Sequence, residues 1–179
     1  MDIHINVLRD FVDEFIIVEA TTTFSWNKKL LYFPEVQDKY KDFPIKYHVI
    51  DNLDDPERWE MARNSPNTIG AEHWKTEFVI KEKIKDALIH LKDDDICYIG
   101  DCDELWITKD ALPISGVAKL KLRVYPYFLN LRSDEQFWGT ICGYYADIKN
   151  ECLNHLRTSA RKTEKEYGWH FTSQGGLDE

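Results

Sequence analysis

Ile96-Cys97-Tyr98-Ile99-Gly100 is an apolar run of the kind that fills a buried strand, and it runs directly into Asp101, Asp103 and Glu104. Burying an unpaired carboxylate costs several kcal/mol. The chain must therefore fold so that this strand ends either in water or against positive charge. Alternate side chains on a strand share a face, so Asp101 and Asp103 project together, about 7 Å apart at their Cα atoms if the strand continues. Two carboxylates at the carboxyl end of an α/β strand stand where such sheets put their ligands. Oxygen-only ligands suit a hard cation, Mn2+ or Mg2+, that keeps positions open for phosphate oxygens. The bland alternative is a solvated acidic turn, and D-x-D by itself does not choose.

The flanking sequence supplies the elements. Phe15-Ile16-Ile17-Val18 reads as a buried strand feeding the polar loop Glu19-Ala20-Thr21-Thr22-Thr23, and Pro44–Asp51 as a second strand. Residues Asn52–Gly70, with two prolines and no clean period, read as a long loop. Trp74, Phe78, Ile84, Ala87, Leu88 and Leu91 recur at helical spacing, which predicts a helix over Ala71–Lys92. A short helix is expected from Thr108 to Leu112-Pro113. Val117–Leu131, interrupted at Pro126, and Gln136–Ile148 read as strands, with Lys119, Lys121 and Arg123 on a solvated face. Glu151–Lys165 is polar and partly helical, and Gly168-Trp169-His170-Phe171-Thr172-Ser173-Gln174-Gly175-Gly176 is a closing strand and glycine turn. This order predicts a three-layer α/β domain spanning residues 1–179.

At 179 residues the chain can bury a real core, and its 43% hydrophobic and 31% charged content is that of a soluble globular protein. A net charge of -9 argues against a nucleic-acid backbone as partner. No stretch approaches the roughly 18 apolar residues of a spanning helix, and MDIHINVLRD lacks signal-peptide architecture. The expectation is a cytoplasmic protein. Cys97, Cys102, Cys142 and Cys152 show no C-x-x-C pairing and read as small hydrophobes in a reducing compartment.

Several segments, in order, resemble glycosyltransferase family 17. Val12-Asp13-Glu14-Phe15-Ile16-Ile17-Val18-Glu19 resembles the family's V-D-x-F-V-I-V-E strand. Thr23-Phe24-Ser25, followed by Lys29, Leu31 and Phe33, resembles its T-F-S-G-x-x-K-x-L-x-F loop. Trp74 and Glu77 fall where its helix carries W-x-N-E-x-x-Q-R. Asp94-Asp95 through Gly100-Asp101-Cys102-Asp103-Glu104 resembles D-D-x-x-x-x-S-D-x-D-E. Gly168-Trp169-His170-Phe171-Thr172-Ser173, with Gly175 and Gly176, resembles G-W-H-F-S-x-x-G-G. The chain departs from the pattern at Trp26, where the family has Gly, and at Thr76, Ile80 and Lys81, where it has Asn, Gln and Arg. It reads as a relative shortened at both ends, or a fragment.

The resemblance implies a GT-A fold, a three-layer α/β/α arrangement with a mixed, mostly parallel central sheet. It implies a UDP-sugar donor, N-acetylglucosamine being the sugar, a divalent metal at the D-x-D, and an inverting transfer to a glycan or other hydroxyl acceptor. Asp103 and Asp101 are then the expected metal ligands, Asp101 also facing the donor ribose. His170 is either a third ligand of Mn2+ or a diphosphate contact, or else a satisfied core histidine. Glu104 either orients a neighbour or the acceptor, or caps the following helix. Glu19, Thr21 and Thr23 end a strand where nucleotide contacts fall, or their side chains satisfy loop backbone. Lys29 is a phosphate partner or a solvated lysine, and Glu77 a donor contact by its motif. Trp169 and Trp138 offer stacking faces or core packing. Asp134 and Glu135 are available carboxylates for the general base that an inverting transfer needs, and Asp147 is another. The same carboxylates also suit a metal-dependent sugar-nucleotide hydrolase or a nucleotidyl or phosphoryl transferase, and the motifs suit a non-catalytic nucleotide-sugar binding module.

Overall fold

The computed structural model describes residues 1–107 and 115–174. Helix α1 (Asp2–Leu8) is followed by strand β1 (Phe15–Ala20), the one-turn helix α2 (Phe33–Val36), β2 (Ile45–Ile50), α3 (Pro56–Asn64) and α4 (Glu72–Lys83). Then come β3 (Ile96–Ile99), β4 (Glu104–Trp106), β5 (Ala118–Val124), β6 (Gln136–Tyr144), α5 (Tyr145–Ile148), α6 (Leu153–Ser159) and β7 (Arg161–His170). The architecture is α/β, as the order of elements predicts. The chain divides into two compact units, Asp13–His90 and Met1–Val12 with Leu91–Glu179. The helix expected after Thr108 and the glycine turn at Gly175-Gly176 lie outside the described residues. Among those described, no helix is long and apolar enough to cross a membrane.

In the unit Asp13–His90, β1 and β2 pair in parallel, Phe15 opposite Ile45 and Ala20 opposite Ile50. The expected loop 52–70 contains α3. Its start was written in the sequence: Asp55 caps the helix by accepting from the Arg58 N–H at 3.0 Å, and Pro56 takes a first-turn position where no N–H is needed. The prolines, read as loop markers, bound this helix. α4 stops at Lys83 and tightens into a 3-10 turn over Ile84–Ala87, shorter than the period over 71–92 predicts. Its buried face is Thr76, Phe78, Val79 and Glu82, while Trp74 stays exposed.

In the other unit, five strands lie in the order β3-β6-β5-β7-β4. Only β5 and β7 pair in parallel; β3 with β6, β5 with β6 and β4 with β7 are antiparallel. The expected mostly parallel sheet is thus corrected, because β5 returns directly into β6 without a helical crossover. β6 ends at Tyr144, where α5 begins, short of the expected Ile148. β7 begins at Arg161, inside a segment expected to be helical. Pairing with β5 on one side and β4 on the other overrides the weak local preference of that polar stretch.

β3 and β4 are the two edges of this sheet, yet residues 100–103 alone join them. Four strand spacings in a flat sheet would separate the edges by about 19 Å. The five Cα steps from Ile99 to Glu104 reach at most about 18 Å when fully stretched. The connection is instead a folded turn, Glu104 N–H donating to the Asp101 carbonyl at 3.0 Å. The sheet therefore curls until its edges meet, and Tyr98 of β3 stacks on Trp106 of β4 with ring centroids 3.8 Å apart. Leu120, Leu122, Ile141 and Cys142 of this sheet are buried, as are Ile148 and Leu153 of the following helices.

Candidate functional site

The two aspartates lie in the turn between the sheet edges rather than on a continuing strand, because β3 ends at Ile99 where the sheet closes on itself. The turn is held by its own bond to Glu104 and by the Phe171 N–H, which donates to the Asp103 carbonyl at 2.8 Å. The two carboxylates consequently have different partners. Asp101 Oδ2 accepts from Arg157 Nη2 at 2.9 Å, and Asp103 Oδ2 lies 3.3 Å from His170 Nε2. Both stay partly open, with 45% and 35% of their side-chain surface exposed.

Glu104 points inward and its side chain is wholly closed to solvent. Thr140 Oγ1 donates to one carboxylate oxygen at 2.9 Å and Arg157 Nη2 to the other at 2.8 Å. Gly100 and Gly139 make room for it, since a Cβ on Gly139 would fall 2.5 Å from the Glu104 Cδ and one on Gly100 would strike the same carboxylate. Burial pushes the Glu104 carboxyl above its usual range against the pull of Arg157, and Asp101 adds to the rise. Glu104 thus bonds Arg157, which in turn bonds Asp101, and the helix it was expected to cap lies outside the described residues.

His170 stacks on Phe137, centroids 4.1 Å apart. Burial alone would lower its pKa, but the bond to Asp103 and the surrounding carboxylates raise it. Asp103 responds in the opposite sense: burial works upward, and the bond and charge of His170 hold its carboxyl below the usual range. His170 Nδ1 is buried with no hydrogen-bond partner among the described residues. His4 of α1 bonds the backbone of Cys102 and Glu104, and burial lowers its pKa.

Among the described residues no three His, Cys, Asp or Glu side chains form a group that could hold a metal by themselves. Mg2+ and Mn2+ sites need less, one or two carboxylates with water and substrate phosphates completing the shell. Asp101 and Asp103, open on one side and of hard oxygen chemistry, fit that mode.

Asp134 and Glu135 are exposed in the loop between β5 and β6. That loop leaves β5 at Val124, the strand partner of His170, so it departs from the sheet end that carries Asp103. Trp169 lies opposite Leu105 and Arg123 in the sheet, near Phe171 at 6.5 Å. Trp138 is covered by cations, with Lys162 4.2 Å and Lys121 5.7 Å from its ring centroid. Asp147 belongs to α5. Lys119 corrects the expected solvated face. It is 4% exposed and donates to the Thr158 carbonyl at 2.6 Å, and burial lowers its pKa. Arg123 pairs with Glu166 at 2.5 Å. The four cysteines are free thiols, and Cys102 is exposed.

The remaining expected contacts belong to the unit Asp13–His90. Glu19 accepts from the Tyr32 and Phe33 N–H groups at 3.1 and 3.0 Å, from Tyr47 at 2.8 Å and from Lys29 at 3.4 Å. Its carboxylate thus organises the loop that follows. Burial and Glu19 together push the Tyr47 hydroxyl up to about 12. Thr21 and Thr23 satisfy loop backbone, Thr21 donating to the Ile50 carbonyl at 3.4 Å and Thr23 accepting from the Asn27 N–H at 3.1 Å. Glu77 pairs with Lys81 one turn on, at 2.6 Å. Trp26 adopts φ +64°, the left-handed region that favours glycine, which accounts for the Gly in the pattern it departs from.

Sequence reasoning missed Arg157, Thr140 and His4. Nothing local marks Arg157 among the cations of 151–165; only the curl of the sheet brings α6 to the turn. Gly100 and Gly139, each in a β-branched or aromatic setting, were the readable signal of a close approach.

The sequence model for glycosyltransferase family 17 matches residues 1–173 of the 179. No curated protein and no solved structure matches the chain.

Proposed function

We propose a reaction from one premise: the chain belongs to glycosyltransferase family 17. Such a protein takes a sugar from an activated donor and gives it to an acceptor. The finer reading is a GT-A type enzyme that uses a nucleoside diphosphate sugar, UDP-N-acetylglucosamine by family resemblance, and inverts the anomeric carbon.

In that reading a hydroxyl of the acceptor attacks the anomeric carbon from the face opposite the diphosphate. The new C–O bond forms as the old one breaks, and the electron pair leaves with the diphosphate. Asp134 or Glu135 takes the hydroxyl proton. Asp101 and Asp103 would hold Mn2+ or Mg2+, with water and the donor phosphates completing the shell. A cation bound there would neutralise the charge that develops on the leaving diphosphate. Arg157 and His170 keep the two carboxylates in place, and buried Glu104 holds Arg157. Within the unit Asp13–His90, Glu19 shapes the Thr21–Phe33 loop. Trp169 flanks His170.

The observation that carries this reading is the turn itself: two half-open carboxylates, one paired with Arg157 and the other bonded to His170, where both edges of the curled sheet meet. The test is incubation with Mn2+ and a panel of nucleotide sugars, with and without acceptors. Sugar transferred to an acceptor supports the transferase. Donor hydrolysis alone supports a sugar-nucleotide hydrolase, and binding without turnover a binding module. Asp103→Ala should abolish Mn2+-dependent UDP binding in calorimetry while leaving the circular dichroism spectrum unchanged. Equal UDP binding by that variant with and without Mn2+, at wild-type strength, overturns the metal assignment.

A further inference from the structure

We propose that the indole of Trp26, seated on Trp59, is a stacking platform for a neutral sugar ring of the acceptor. The proposal rests on the glycosyltransferase reading for the class of ligand, and on the following geometry for the site.

Trp26 is a large side chain in a backbone conformation that large side chains avoid, φ +64°. The loop enforces it. Trp26 N–H donates to the Thr23 carbonyl at 3.0 Å, Thr23 N–H to the Asn27 carbonyl at 2.8 Å, and Thr22 bridges to Lys28. A glycine would make the same turn without strain. Burial does not offset that strain, because Trp26 is 57% exposed.

What the indole does gain is orientation. It stacks on Trp59 with centroids 5.6 Å apart and planes within 15°. Trp59 is itself fixed, its Nε1 donating to the Leu53 carbonyl at 2.7 Å and its helix held by the Asp55 cap. Next to it, Arg58 is clamped to Asp86 at 2.9 Å. A rigid, flat, electron-rich face is thus braced from behind and presented to solvent. That is the surface on which the C–H face of a pyranose packs.

Charge selects the ligand. The segment Asp51–Glu60, which includes Trp59, carries Asp51, Asp54, Asp55, Glu57 and Glu60, and its one cation, Arg58, is spent on Asp55 and Asp86. Lys29 is committed to Glu19. Even with Lys28 in the same turn, acidic side chains outnumber the uncommitted cations there, which favours a neutral saccharide over a diphosphate. The donor nucleotide is therefore the wrong occupant. Trp138, the other candidate platform, already has Lys162 and Lys121 over its ring.

The test uses the full chain and four soluble trisaccharides, built of β-linked N-acetylglucosamine, β-linked glucose, α-linked glucose and α-linked mannose. Binding is read by saturation-transfer NMR and by indole fluorescence, alongside UDP calorimetry in Mn2+. At least one trisaccharide should bind the wild type at millimolar concentration. Trp26→Gly, which suits the turn and should unfold no earlier on heating, should weaken that binding at least tenfold. Trp26→Phe should stay within about threefold of wild type. Trisaccharide binding unchanged in Trp26→Gly, or no binding of any trisaccharide to the wild type, overturns the platform. So does a concentration-dependent dimer abolished by Trp26→Gly without any saccharide signal, which assigns the face to self-association. UDP binding without saccharide binding overturns the platform and leaves the donor reading standing. Trp26-dependent saccharide binding without UDP binding does the reverse.

Discussion

Arg157 meets Glu104 in a buried ion pair, Nη2 to Oε1 at 2.8 Å, and the same nitrogen reaches Asp101 at 2.9 Å. One guanidinium therefore ties a structural carboxylate to one that faces solvent. Removing the cation should leave Glu104 without its counter-charge in the curl of the sheet, so that it either holds an unpaired charge or takes up a proton. Arg157→Leu is expected to cost about 3–5 kcal/mol. Glu104→Gln added to it should recover part of that loss, since the amide needs no counter-charge. Urea denaturation of the three proteins checks both statements, and no recovery in the double variant would mean the pair is not the source of the cost.

Gly168 stands where β4 and β7 touch. A Cβ there would drive into the Leu105 carbonyl, a backbone group of the paired strand that cannot swing away. Gly168→Ala should cost about 3 kcal/mol by overpacking. Gly116, at φ +69° with open space around its Cβ position, should cost only about 1 kcal/mol on the same change, from backbone strain alone. The two midpoints in one denaturation series separate steric from conformational cost.

Glu19 makes the pH prediction. Burial works to raise its carboxyl, but the Phe33 and Tyr32 N–H groups, Tyr47 and Lys29 outweigh it and hold the carboxyl below its ordinary value of 4.5. The unfolded chain thus binds more protons than the fold between those two values, so stability rises with pH there. The contribution is fully present above about pH 4.5 and disappears as pH falls through the folded value. Glu19→Gln should cost about 1–3 kcal/mol at pH 7. The gap to wild type should narrow on acidification, as read from urea midpoints at pH 7 and pH 3.5.

Asp55 caps α3 and also pairs with Arg58 at 2.9 Å. Asp55→Ala should destabilise the chain by about 1 kcal/mol, the ordinary cost of losing such a cap. Asp55→Asn, which keeps a capping oxygen, should recover most of it. Hydrogen exchange of the first-turn amides of α3 is the local readout.

The acidic turn was legible because its signal is local: an apolar strand followed by carboxylates leaves few places for the chain to go. β1 and β2 were legible for the same reason. α3 was legible in principle, since Asp55-Pro56-Glu57 is a helix start, but two prolines in an otherwise aperiodic stretch masked it. β7 was not legible. Its first half is polar and charged, and nothing in Arg161–Glu166 demands a strand until β5 and β4 lie beside it.

By itself, the sequence determined which segments could be strands, where their carboxylates would cluster, and which family pattern they follow. Those are properties of short stretches, set by side-chain period and by the cost of burying charge. Only the tertiary structure decided that the two edges of the sheet close at residues 100–103, that Arg157 and His170 arrive there from more than fifty residues away, and that Trp26 is held open on Trp59. Each of these depends on contacts between segments far apart in the chain, and such contacts leave no periodic trace in either partner. The carboxylates that end β3 are local chemistry; what braces them is the curl of the sheet.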